Sequence, residues 1–335
     1  MHRFVSQIPM AIVAAMMMGF AGVPMQGQQV GEGRSLGATQ DTRPDAPFPD
    51  RPELMRRIAL YEAAERSAER SHPGLESMVK VYSNLATLYE HASLYPKAEE
   101  ALHKEIAVLG GGPQVELADA FGHLAVLHVA MGDLHQAEKD DGEALRIREG
   151  IGDPVGIALT WSDLGDIEVK ERHFKQAEIY SHKALAILQD NPKAEVSDRI
   201  AAQQTLAYAL CGLRRCGEAI PLLQETLELQ KKLYGPDSLL VGSGYFLLGH
   251  AYWQNGDLDT AAGLMRRGTA RMKVDLGWGH SIYLDAMSEY ARFLRQRGDN
   301  EAAASAEREI KTANAVVDAR SLTPRTSTFS AGGPR

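Results

Sequence analysis

Cysteine is nearly missing from this chain: Cys211 and Cys216 are the only two in 335 residues. That excludes a disulfide-stapled scaffold and any zinc module built on clustered thiolates. Aromatic residues are scarce at 7%. Beyond residue 28 no apolar run is long enough to cross a membrane. Positive charge is not in excess either: the formal net charge is −8, whereas a general nucleic-acid binder needs a basic face to neutralise phosphates. Catalytic signatures are absent in the same way. Gly110-Gly111-Gly112 runs into Pro113 with no Lys-Ser/Thr after it, so it reads as a linker and not as a phosphate loop. No His-Glu-x-x-His and no Gly-x-Ser-x-Gly occurs. His123 and His128 are five apart, poor spacing for one helical face, and are expected to be packed or half-exposed. Glu99-Glu100 and Asp140-Asp141 fall on second helices and are expected to be solvated surface pairs. No enzyme, cofactor or metal site is expected.

What the chain does have is a segment that returns about every 40 residues. Leu85-Ala86-x-x-Tyr89, Leu124-Ala125-x-x-His128, Leu164-Gly165-x-x-Glu168, Leu206-Ala207-x-x-Leu210, Leu248-Gly249-x-x-Tyr252 and Tyr290-Ala291-x-x-Leu294 align at steps of 39, 40, 42, 42 and 42. Twelve residues after each small residue comes another: Ala98, Ala137, Ala177, Ala219, Ala261 and Ala303. In the third unit Ile157, Trp161, Leu164 and Ile167 have helical spacing, and so do Phe174, Ala177, Tyr180, Ala184 and Leu188. Each unit therefore reads as two helices joined by a tight turn, with the small residues allowing close approach. Gly132-Asp133, Gly256-Asp257 and Gly298-Asp299 mark three turns: glycine suits the left-handed position after one helix, and Asp caps the next.

These residues resemble the tetratricopeptide repeat, whose pattern is Trp-x-x-Leu-Gly-x-x-Tyr followed by Ala-x-x-x-Phe and Pro. Unit three supplies Trp161, Leu164 and Gly165 but has Glu168 in the Tyr position; unit five supplies Tyr245, Leu248, Gly249, Tyr252 and Ala261, with Met265 in the Phe position. The inter-unit segments His72-Pro73, Gly112-Pro113, Gly152-Asp153-Pro154 and Gly235-Pro236-Asp237 are closest to the longer, kinesin-light-chain-like variety. The resemblance implies an all-α solenoid of about six units, wound as a right-handed superhelix, that binds protein partners. Its units pack only on their neighbours, which removes the size limit of a single core.

The remaining segments complete the domain plan. Residues 1–28 have a mildly basic start and an apolar run at 8–20, the outline of a secretory signal peptide; the rival reading is an uncleaved anchor in the inner membrane. Export to the periplasm or the extracellular space is expected on the first reading. Residues 29–50 are a polar linker expected to be disordered. Residues 51–72 form an N-terminal capping helix, 73–320 the repeat solenoid, and 321–335 a disordered tail. Cys211 and Cys216 flank the turn of unit four; an exported chain could join them as a disulfide, and otherwise they are two small half-buried residues.

In the resembling family, first helices line a concave groove. By register that places Asp166 and Lys170 of unit three, Tyr208 of unit four, Phe246, His250 and Trp253 of unit five, and Arg292 and Arg295 of unit six on the inner surface. Ser83 and Thr87 stand where some members carry a carboxylate clamp, so that activity does not transfer. Tyr208, Phe246 and Trp253 with Arg292 and Arg295 suggest a grip for a peptide with an apolar anchor and an acidic flank; the alternative is that the aromatics pack against a neighbouring unit. The leading function is a monomeric, non-catalytic scaffold for a protein or peptide partner. A self-assembly module and a membrane-tethered adaptor are the alternatives.

Overall fold

The computed structural model describes residues 51–322 apart from 72, 73, 113, 190 and 279. The expected signal peptide or anchor, the 29–50 linker and the tail beyond 322 lie outside the described residues. Within them are thirteen helices. α1 (Arg51–Ser71) precedes six pairs: α2 (Leu75–His91) with α3 (Tyr95–Leu109), α4 (Gln114–Met131) with α5 (Leu134–Ile151), and α6 (Pro154–Lys170) with α7 (Phe174–Leu188). Then come α8 (Val196–Gly212) with α9 (Cys216–Tyr234), α10 (Leu239–Asn255) with α11 (Leu258–Leu276), and α12 (Ser281–Arg297) with α13 (Asn300–Leu322). Each helix packs on its neighbours in sequence. Beyond those contacts α6 touches α8 and, more lightly, α4. The first helices of units two, three and four thus meet across units, which places them on the inner side of the curve. The architecture is an α-solenoid.

The repeating small residues do what their size suggests. Ala98, Ala137, Ala177, Ala219, Ala261 and Ala303 are all 0% exposed, each at the crossing of its unit's two helices. The turns repeat at the level of the backbone even where the sequence does not. In every unit the N–H that opens the second helix donates to a carbonyl five residues back: Leu94 to Tyr89, Asp133 to His128, His173 to Glu168, Arg215 to Leu210, Asp257 to Tyr252 and Asp299 to Leu294, at 2.8–3.0 Å. This is the Schellman closure of a helix C-terminus, which requires a left-handed residue within it. Gly132, Gly256 and Gly298 supply that residue in three units, and Ser93, Arg172 and Arg214 adopt it at positive φ in the others. The Asp133 and Asp257 carboxylates then accept from Gln136 and Thr260 N–H, capping α5 and α11.

The ends are covered as the pattern requires. Leu54 and Ile58 of α1 bury against Leu85, Leu88 and Leu102 of the first unit, and the Tyr89 hydroxyl donates to Glu62 at 2.8 Å. At the other end α13 buries Ala303, Ala306 and Ala313. It runs to Leu322, two residues into the segment expected to be tail. Among the described residues no helix is long and apolar enough to cross a membrane. Cys211, in the last turn of α8, and Cys216, which opens α9, are joined as a disulfide with Cα atoms 4.3 Å apart.

Candidate functional site: the concave groove

One residue per unit, at the same repeat position, forms a row along the first helices: Thr87, Val126, Asp166, Tyr208, His250 and Arg292. Electrostatics link two neighbouring pairs of the row, Asp166 with Tyr208 and His250 with Arg292. Burial pushes the Tyr208 hydroxyl's pKa up, and Asp166 from the unit before and Glu289 from unit six push the same way. Burial holds the His250 imidazole neutral, lowering its pKa to about 3, with Arg292 adding to the effect.

The middle of the row is acidic. Asp163 and Asp166 of α6 are half-buried. Burial raises Asp163 to about 7, with Asp166 adding and Arg148 opposing. Asp166 is raised by burial and held back by Lys170, whose Nζ lies 3.5 Å from it. Behind them Asp141 of α5 is 1% exposed, its Oδ1 accepts no hydrogen bond, and burial and then Asp163 push its pKa up. In unit six Glu289 is 0% exposed; burial raises it to about 7 although Arg292 stands 3.0 Å away, and neither carboxylate oxygen accepts a hydrogen bond.

The expected aromatic grip is corrected by this geometry. Tyr208, Phe246 and Trp253 are buried. Trp253 stands edge-on to Phe293 of the next unit at 5.5 Å, and its indole N–H donates to Gln296 at 3.1 Å. Phe246 and Trp253 join the apolar cluster of units five and six. Their area is already spent on holding adjacent units together, so they present no open aromatic patch. Arg295 is likewise engaged, in a two-bond pair with Glu307 of α13 at 3.0 and 2.8 Å. The acidic-flank half of the grip therefore loses one of its two cations. Of the other residues expected in the groove, Asp166 and Lys170 are half-buried, His250 is buried and Arg292 is exposed beside Glu289.

Asp140 and Asp141 correct a second expectation, because both are buried. Asp140 accepts from Gln136 at 3.2 Å and lies 2.7 Å from Nδ1 of His128, which is itself buried. The signal was in the spacing. Asp141 stands four after Ala137 and three before Ala144, on the stripe that faces the first helix. Asp163 and Glu289 were missed because each sits one residue before the motif's leucine position, outside the recurring pattern. At the turn of unit three His173 Nδ1 lies 3.0 Å from Glu168 and 3.2 Å from Glu171, a grouping able to hold a metal ion but exposed apart from the half-buried Glu168.

Tetratricopeptide-repeat models match residues 117–151 and 198–273. Among solved structures, RapI in its apo form is similar over 80% of this chain and 94% of its own, at 14% identity and a TM-score of 0.65. BtubC (BKLC) from P. vanneervenii is similar over 84% and 99%, at 20% identity and 0.53. A Rap protein complexed with Competence and Sporulation Factor is similar over 78% and 72%, at 16% identity and 0.60. At these identities the structures speak for the fold, while the repeat models speak for the sequence. On both counts the chain is a tetratricopeptide-repeat protein.

Proposed function

We propose that this protein is a non-catalytic scaffold that holds an extended segment of a partner protein or peptide along its concave groove. The observation that carries the reading is the row Asp166, Tyr208, His250 and Arg292, one repeat position on four consecutive first helices: its end members Asp166 and Arg292 keep contact with solvent, while Tyr208 and His250 are packed inside. The similar Rap protein that was solved with Competence and Sporulation Factor gives the reading a precedent in the same fold. The apolar segment at 8–20 supports export as the setting of this work.

A photoreactive residue tests the reading. Placed at Gln204, half-buried on α8 one turn before Tyr208, it should crosslink a partner; placed at Ile179, exposed on α7, it should not. Crosslinks from Ile179 alone would move the partner to the outer face. Crosslinks only to a second copy of the chain would favour self-assembly.

A further inference from the structure

The groove's charges indicate what kind of segment it holds, an inference that rests on the scaffold reading above. Around Asp163 and Asp166 the carboxylates outnumber the available cations. Asp163 accepts no hydrogen bond and joins no ion pair among the described residues. Asp141 beside it is 1% exposed with Oδ1 unpartnered. The nearest guanidinium, Arg148, is committed elsewhere: it donates to Gly156 O at 3.0 Å, Thr160 Oγ1 at 2.6 Å and Asp119 at 2.7 Å. Lys170 faces Asp166 at 3.5 Å, a long separation for an ammonium–carboxylate pair. Farther along, Glu289 makes no hydrogen bond but stands 3.0 Å from Arg292. The histidine that could add positive charge, His250, leaves Nε2 unpartnered as well. Buried carboxylates without partners are costly, and an incoming cation offsets that cost.

The geometry also limits the cation. The oxygens of Asp141, Asp163 and Asp166 do not all lie within 4.8 Å of one another, too open for three ligands on one metal ion. A guanidinium or ammonium on a flexible stem bridges such spacings and donates to several oxygens at once. We infer that the groove binds a Lys- or Arg-bearing peptide segment whose cationic side chain docks at Asp163 and Asp166, with Asp141 behind them.

The test pans a randomised short-peptide library against the immobilised full chain, against Asp163→Asn/Asp166→Asn, and against Glu225→Gln/Glu228→Gln. The last removes the same charge from exposed positions on α9. The wild type should retain sequences enriched in Lys and Arg. The groove variant should bind them about tenfold more weakly, and the α9 variant should bind them as the wild type does. Circular dichroism verifies that each variant folds, and Asp163→Glu, which keeps the charge, should keep the enrichment. Retained sequences that are neutral or acidic would overturn the inference and leave the scaffold reading standing. Lys/Arg enrichment that survives in the groove variant, or falls equally in the α9 variant, would also overturn it. Retention of nothing by any form would overturn both.

Discussion

A Cβ on Gly249 in unit five would lie 2.9 Å from the Met265 backbone nitrogen and 2.7 Å from its Cγ. At the matching position of unit three a Cβ on Gly165 would meet the Thr205 methyl at 3.2 Å and Ser181 Oγ at 3.5 Å. The two units share a motif, yet one is closed to the limit of van der Waals contact and the other has side chains with room to give. The contrast extends beyond the glycines. Units five and six fill their interior with Phe246, Trp253, Met265, Tyr283 and Phe293. Units one and two bury Glu105, Asp140, Asp141 and Arg148, and unit three holds Asp163 and Asp166 half-buried. Close packing stabilises, whereas buried carboxylates with raised pKa values oppose folding when ionised. Such groups gather in the first three units, although Glu289 of unit six is buried as well.

The largest break in this contrast should come from Phe293→Ala. The side chain is 0% exposed and stands between Trp253 and Tyr290, so denaturant unfolding should show a loss of about 4 kcal/mol. Next is Gly249→Ala, which forces Met265 backbone to move and should cost about 2–3 kcal/mol, while Gly165→Ala should cost less than about 1 kcal/mol. Equal losses at the two glycines would erase the distinction between the units.

On the charged side the sign reverses. Burial, with Asp119 adding, raises Glu105 from 4.5 to about 7. The unfolded chain therefore releases this proton at lower pH than the folded one. Stability is full below the unfolded value, falls as pH rises from about 4.5 to about 7, and stays low above that. Glu105→Gln should accordingly stabilise by about 2 kcal/mol at pH 8, and the gain should fade as the pH drops toward 4.5. Melting curves across that range check both the size and the slope. The smallest effect concerns the turns. Arg214 takes the left-handed position that glycine fills in units two, five and six, so Arg214→Gly should raise stability by about 0.5 kcal/mol.

The solenoid was legible because two periods, the helix and the 39–42-residue step, agreed at every small residue from Ala86 to Ala303. The groove was legible only as a register. α10 is apolar around its whole circumference, so no polar face tells which of Phe246, Leu247, Trp253 and Tyr252 points outward. Contact with Phe293, forty residues later in the chain, decides it for Trp253. Asp163 and Asp166 carried the opposite ambiguity. Charged residues are usually solvated, and only the packing of α6 against its neighbours half-buries these two.

On our proposal, the carboxylates of unit three are kept at the expense of stability because they recognise a cation. The most direct measurement is the thermal melting of Asp163→Asn/Asp166→Asn beside the wild type, each alone and with an Arg-bearing peptide selected by the wild type. The account predicts that the variant melts higher than the wild type when alone, and that the peptide raises the melting temperature of the wild type only. A variant that melts lower, or that is raised by the peptide as much as the wild type, would contradict it.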